Sequence, residues 1–213
     1  MFHLREEKKL WKKKINTVVG LDEAGRGPLA GPVLAAAVFV SQKTIGFPEK
    51  QVSAIIRDSK QLSPQKREEI FKMLEKCPAI KWGIGIVSEK TIDRINIFEA
   101  SKLAMLKALK DLEKKLLRKA DFLILDGNFK INVDGRRRRK LLQKSIIKAD
   151  EKVFSCMAAG IIAKVSRDKI MKRIHKKFSK YGFDQHKGYP TELHRLMIKK
   201  WGPCKVHRKS FCL

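Results

Sequence analysis

Cysteine is scarce in this 213-residue chain, and the four present, Cys77, Cys156, Cys204 and Cys212, stand too far apart for any C-x-x-C pair. A chain this long does not need disulfide staples, so a cross-linked scaffold is excluded and reduced thiols in a cytoplasm are the expectation. Long apolar runs are missing as well. The most apolar stretch, Pro28 to Val40, is broken by Gly31 and Pro32, and the basic start (Lys8, Lys9, Lys12, Lys13, Lys14) leads into no apolar segment. A secretory leader and a membrane span are thereby excluded. Internal repeats are absent, and low-complexity tracts are confined to short charge runs, which removes the solenoid and array architectures. The last scarcity is acid: 22 Asp+Glu face 49 Lys+Arg, a formal charge of +27.

That surplus exceeds anything solubility requires and points to a polyanionic partner. It is uneven, with 24 basic and 6 acidic residues in 130–213 and the remaining 25 and 16 in 1–129, so the C-terminal part carries the larger share of an anion-binding face. Hydrophobic residues make up 43% of the chain, enough for a sizeable core in one large or two small domains.

After a basic lead-in over residues 1–14, Ile15 to Leu21 reads as a strand ending at Asp22-Glu23, and Gly25-Arg26-Gly27-Pro28 turns the chain into a second apolar strand, Val33 to Val40. Ser63-Pro64 offers an N-cap and a proline at the first helical position, opening a helix to about Glu75. Ile80, Trp82, Ile84 and Ile86 alternate in a third strand. Leu103, Leu106, Leu109, Leu112 and Leu116 recur at steps of three and four, predicting a helix from Ile97 to Leu117 whose apolar face covers the sheet. Phe122 to Leu125, stopped by Asp126-Gly127-Asn128, has the pattern of a central strand, and a second apolar run, Ile146-Ile147, ends at Lys148-Ala149-Asp150. Residues 152–178 read as a helix, with a basic helical tail around Thr191 to Lys200. The sum is an α/β fold with a mixed five-stranded sheet: a catalytic domain over 15–178 and a basic helical extension, 179–213, packed on it.

Three predicted strands therefore end in carboxylates: Asp22 with Glu23, Asp126, and Asp150. Taken singly each is an ordinary strand terminator. As a set they could converge outside the strand ends, where ligand sites of α/β sheets form. Clustered carboxylates repel one another, and oxygen-only donors favour Mg²⁺ or Mn²⁺. Two such ions can activate a water and stabilise the leaving oxygen of a phosphodiester. An acid cluster inside a basic surface thus predicts a metal-dependent nuclease.

The motifs themselves resemble those of ribonuclease HII. Gly20 to Pro28, Asp58-Ser59-Lys60, Leu125 to Asn128, Ile147 to Asp150, Ala163 to Asp168 and His186 to Thr191 occur in that family's order and cover roughly Ile15 to Phe211. The resemblance implies a ribonuclease H fold and a Mg²⁺- or Mn²⁺-dependent endonuclease. Its partners would be RNA–DNA hybrids and duplex DNA holding single ribonucleotides, cut on the 5′ side to leave 3′-hydroxyl and 5′-phosphate ends. By the same resemblance Asp22, Glu23, Asp126 and Asp150 are the metal-binding catalytic acids. The Gly25-Arg26-Gly27 turn contacts the ribose 2′-hydroxyl, the group that separates RNA from DNA, and a missing Cβ there lets backbone approach the sugar. Tyr189 stacks on the sugar of the nucleotide after the ribonucleotide, and Lys60, Lys164 and Lys187 meet phosphates.

The sequence departs from the family pattern at Ala149, where Gly is usual, and at Gly160, where a small hydroxyl residue is common; both are expected to bear on Asp150. Asp168, a fifth acid, is expected either behind the metal-binding acids or in a structural pair with Arg167 rather than on metal, and Asp134 and Asp184 at the surface. The tract Arg136 to Arg139 is extra length between the third and fourth acids. Two rivals are a ribonuclease HIII-like hybrid nuclease, disfavoured by Arg26 in the turn and by the short lead-in, and a non-catalytic basic nucleic-acid-binding protein, which leaves the strand-end acids without a role. A monomer is expected.

Overall fold

A computed structural model describes residues 4–42, 63–133 and 141–211. Lys60, the Asp58-Ser59 pair, Asp134 and the Arg136 to Arg139 tract lie outside the described residues. The sheet is five-stranded and mixed, in the order β3-β2-β1-β4-β5. Its strands are β1 (Val18–Ala24), β2 (Val33–Val40), β3 (Ile80–Val87), β4 (Phe122–Asp126) and β5 (Leu142–Ile146). β1, β2 and β3 run antiparallel as the predicted hairpin and its extension, whereas β4 and β5 run parallel to β1.

Helices cover both faces. β2 is buried along its whole length because it is sandwiched, and the period of two assigns its side chains to opposite layers. Leu34, Ala36, Val38 and Val40 pack with α2 (Pro64–Lys76) and α4 (Phe154–Lys177). Val33, Ala35, Ala37 and Phe39 pack with α3 (Glu89–Leu116), beside Leu123 and Leu125 of β4. The predicted Ser63 cap is in place, its Oγ accepting from Lys66 N.

Four local readings change. The strand expected over Ile15 to Leu21 is shifted, so that Asp22 and Glu23 lie inside β1 rather than after it. α3 starts eight residues before Ile97 and bends at Asn96 (φ 64°), whose side chain caps the second segment by accepting from Glu99 N; the leucine period reports only that segment. Its buried face holds Ala100, Ala104, Met105 and Ala108 with the predicted Leu109 and Leu112, while Leu103, Leu106 and Leu116 are only partly buried. Ile147 is 66% exposed and belongs to no strand; β5 is an edge strand that begins at Leu142. The basic lead-in contains a helix, α1 (Arg5–Lys12). Its buried Glu7 accepts from Ser155 N, placing a carboxylate at the N-terminal turn of α4, whose N-cap Val153 has no capping side chain.

Beyond α4 the chain forms two short turns of helix, Phe183–His186 being named α5, then α6 (Glu192–Trp201), and returns to the sheet side through residues 202–211. Ala30 bridges His207, which ties this return to the Gly25 to Pro32 connection between β1 and β2.

Candidate active site

The parallel pairing of β1 and β4 brings the acids together. Leu21 stands beside Leu125, so the next residue of each strand, Asp22 and Asp126, emerges at the same edge of the sheet. Asp126 Oδ1 accepts from Ala149 N at 2.7 Å, which pins the end of β4 to the 3₁₀ turn Ala149–Glu151 that carries Asp150. Asp150 thus sits in a turn entered through left-handed Lys148 (φ 57°) rather than at a strand end. Asp22 Oδ1 accepts from Glu23 N at 2.7 Å, and Glu23 Oε1 meets Arg26 at 3.3 Å.

The electrostatics of this group are strained. Desolvation, then the charges of Glu23, Asp126 and Asp150, push the Asp22 carboxyl well above the usual carboxylate range. Glu23 is raised by desolvation despite Arg26, and Asp150 by desolvation and then by Asp126. Glu23 Oε2 is buried and has no hydrogen-bond partner among the described residues. An unpartnered carboxylate oxygen among mutually repelling acids fits a hard divalent cation by donor chemistry. Among the described residues no group of three or more His, Cys, Asp or Glu side chains has the geometry of a formed metal site.

The two departures from the family pattern lie beside different acids: Ala149 directly precedes Asp150 in its 3₁₀ turn, and Gly160 lies beside Asp22. Ala149 is fully buried and holds Asp126 through its N–H. Gly160, on α4, faces Asp22: a Cβ there would strike Asp22 Oδ2. Neither touches Asp150 in any hydrogen bond among the described residues.

The glycine turn leaves β1 directly after the acids. Gly25 is held at φ +98°, and a Cβ on it would strike Arg167 Nε, so glycine is required there by the protein behind the turn. A Cβ on Gly27 would meet only Tyr189 Cε1, at 3.9 Å, which sets the Tyr189 ring beside the turn. Tyr189 is 38% exposed, and Lys164 Nζ lies 5.4 Å from its ring centroid. Lys164 pairs with Asp168 at 2.8 Å, and Lys187 Nζ donates to the carbonyls of Asp184 and Gln185. These residues line an open groove of about 710 Å³ together with Arg67, Lys169 and Lys172.

Asp168 does not pair with Arg167. It meets Lys164 and, at 3.9 Å, Arg67. Arg167 instead turns inward to backbone carbonyls, and so does Arg208; both are fully buried. Burial lowers Arg208 to about 9, still protonated at neutral pH. Sequence reasoning passed over Arg208 because nothing in a basic tail distinguishes one arginine from its neighbours. Asp184 is exposed, as expected, and faces His175 at 3.0 Å.

The Ribonuclease HII family model matches residues 19–213. The chain belongs to the ribonuclease HII family. It is accordingly a ribonuclease H, a hydrolase of the nuclease class, with a ribonuclease H-like fold. It is 41% identical to Ribonuclease HII of Chlamydia trachomatis serovar A over 213 residues, covering 98% of this chain and 90% of that protein. It is 42% identical to Ribonuclease HII of Caldanaerobacter subterraneus subsp. tengcongensis, covering 96% and 78%. Among solved structures it is similar to the ribonuclease H2 of Pyrococcus horikoshii OT3, with a TM-score of 0.67 and 28% identity over 91% of this chain and 93% of that one. The crystal structure of a Bst-RNase HIII mutant shares the fold at a TM-score of 0.67, with 21% identity over 88% of this chain and 63% of that one.

Proposed function

We propose that the protein hydrolyses the RNA strand of RNA–DNA hybrids and cuts 5′ of single ribonucleotides in duplex DNA, leaving 3′-hydroxyl and 5′-phosphate ends. The observation that carries this reading is the convergence of Asp22, Glu23, Asp126 and Asp150, with one buried carboxylate oxygen unpartnered, directly beside a glycine turn and an exposed tyrosine. Asp22, Glu23, Asp126 and Asp150 would hold Mg²⁺ or Mn²⁺. When bound, two such ions supply an activated water and charge stabilisation at the leaving oxygen. The protein's own part is placement: Ala149 N–H orients Asp126, Glu23 N–H orients Asp22, and the cationic groove draws in the duplex.

The Gly25-Arg26-Gly27 turn would meet the ribose 2′-hydroxyl and adjacent phosphates, and Tyr189 the following sugar, with Lys60, Lys164 and Lys187 on phosphates. The 5.4 Å approach of Lys164 to the Tyr189 ring supports a shared task for those two residues. We read the protein as a monomer acting in the cytoplasm, consistent with Cys77, Cys156 and Cys204 as free thiols. No helix among the described residues is long and apolar enough to cross a membrane.

The deciding assay incubates the protein with duplex DNA holding one ribonucleotide, with and without Mg²⁺, beside an all-DNA duplex and a long RNA–DNA hybrid. Mg²⁺-dependent cutting at the single ribonucleotide is the expected result. Cutting of the long hybrid alone would replace this reading with a ribonuclease HIII-like specificity, and binding with no cutting would remove the catalytic assignment of the four acids.

A further inference from the structure

The Gly25 to Pro32 connection is held from behind by two guanidinium groups distant in sequence. Arg208 donates from Nη2 to Gly25 O at 2.6 Å, from Nη1 to Arg26 O at 2.9 Å and from Nε to Gly31 O at 2.9 Å. Arg167 donates from Nε to Pro32 O at 2.9 Å, from Nη2 to Ala30 O at 3.1 Å and from Nη1 to Lys187 O at 3.0 Å. Arg208 N adds a bond to Leu29 O at 2.8 Å. The carbonyl oxygens of Gly25, Arg26, Leu29, Ala30, Gly31 and Pro32 are therefore all engaged on the protein side. The amides of Gly25, Arg26 and Gly27 donate to no acceptor among the described residues.

Neither arginine has a carboxylate within ion-pair distance among the described residues, although both are fully buried. A buried charge without a counter-ion is costly. Six carbonyl dipoles arranged around two rigid forks supply the compensation, and a lysine, with its single ammonium, cannot span three carbonyls in fixed directions. Arg167 also reaches Lys187 O, so the same device that holds the glycine turn holds the segment leading to Tyr189.

We propose that Arg208 and Arg167 are positioning residues for ribonucleotide recognition: they clamp the carbonyl side of the glycine turn so that its free amides and the Tyr189 segment keep one fixed geometry toward the substrate. They act through the turn and touch no nucleic acid. The inference rests on the reading that the Gly25-Arg26-Gly27 turn contacts the ribose.

The test uses the full chain, duplex DNA with one ribonucleotide, and Mg²⁺, at temperatures well below each variant's Tm. Arg208→Lys keeps the charge and loses the fork. It should lower kcat by about 10²-fold, the scale of a small misplacement of a reacting group, while KM for the duplex moves by less than about threefold. Arg167→Lys should behave alike. Millimolar guanidinium should restore part of the activity of Arg208→Ala and none of that of Asp126→Asn. Folded Arg208→Lys and Arg167→Lys with normal kcat would overturn the clamp, and so would a loss that only follows the unfolded fraction and resists guanidinium. Gly27→Ala separates the two layers, because the added Cβ fits the protein and projects beside Tyr189. If Gly27→Ala loses cleavage while Arg208→Lys keeps it, the clamp alone fails. If Gly27→Ala cleaves normally, the turn reading fails and the inference falls with it.

Discussion

On one flank of the site Asp22, Glu23 and Asp150 are held above their ordinary titration range by desolvation and by neighbouring carboxylates, Asp126 acting on all three, and Glu23 Oε2 is left without a partner among the described residues. On the other, Arg167 and Arg208 are fully buried, deeper than half-buried Asp22 and Glu23 or exposed Asp150, yet every nitrogen of each guanidinium finds a carbonyl. Both flanks gather charge of one sign, and they differ in depth and in whether the protein completes the partner set. The arginine flank is finished by the fold, which suits a surface that must present one shape. The carboxylate flank keeps Glu23 Oε2 without a hydrogen-bond partner among the described residues, which suits the proposed role of its acids in holding a divalent cation.

The sharpest way to break this contrast is to neutralise one acid without changing its shape. Asp126→Asn keeps the acceptor for Ala149 N–H through its amide oxygen and removes the charge. Cleavage should fall on the order of 10³-fold or more, in line with loss of a preorganised electrostatic group, while binding of the hybrid persists in a gel-shift or anisotropy assay. Near-normal cleavage in Mg²⁺ would mean that the carboxylate flank is not the reacting one. A smaller effect is expected at Tyr189, where stacking on an aromatic ring is worth roughly 1–3 kcal/mol. Tyr189→Ala should lose about tenfold at single ribonucleotides and less on long hybrids, and Tyr189→Phe should stay close to the parent. Equal, small losses on every substrate would reassign Tyr189 to packing.

The two flanks also differ in how far they can be read from sequence, for a physical reason. β2 matches its predicted range, Val33–Val40, and the Ser63-Pro64 helix start is as expected, because a continuous apolar run and N-capping are both read from residues a few positions apart. The acids are visible for the same reason: each interrupts an apolar run. Their detailed placement is less so, since Asp150 reaches the others through a 3₁₀ turn fixed by a bond from Ala149 to Asp126, 23 residues earlier. The arginine clamp is invisible in sequence because Arg208 and Gly25 are 183 residues apart. Asp168 pairs with Lys164, one helical turn before it, while its neighbour Arg167 points into the protein.

Stability without divalent cations offers a third test. Because the folded-state pKa of Asp22 is raised, its contribution is fully present below the unfolded value of 3.8 and is lost as pH rises through the folded value. At neutral pH the ionised side chain therefore opposes folding. Asp22→Asn should raise Tm in a chelator at pH 7, by about 2–4 °C for each kcal/mol of repulsion relieved in a chain of this size. A lower Tm, measured by calorimetry, would show that the acids are already accommodated and that the flank is not waiting for a cation.

The smallest effect concerns what supports Tyr189 from within. Cys204 N donates to His207 Nδ1 at 2.8 Å. His207 Nδ1 is then an acceptor, and its Nε2–H can donate to His194 Nε2 at 3.0 Å. That leaves His194 Nδ1–H to donate to Tyr189 O at 2.9 Å. A single set of neutral tautomers satisfies the whole relay, and a proton added to either ring removes one acceptor from it. Burial accordingly lowers His194 to about 4, and His186 and His207 in the same direction. The sign is opposite to that of Asp22: this stability is present above pH 6.5 and is lost as pH falls toward about 4. In the parent the two flanks partly cancel over that window. Asp22→Asn should therefore show a steeper fall of Tm between pH 6.5 and 4 than the parent, by a degree or a few, since about 1 kcal/mol corresponds to roughly 2–4 °C here. Adding His194→Gln should flatten the fall again. Parallel Tm curves for all three proteins would show that the histidine relay does not titrate with folding and that its support of Tyr189 is independent of pH.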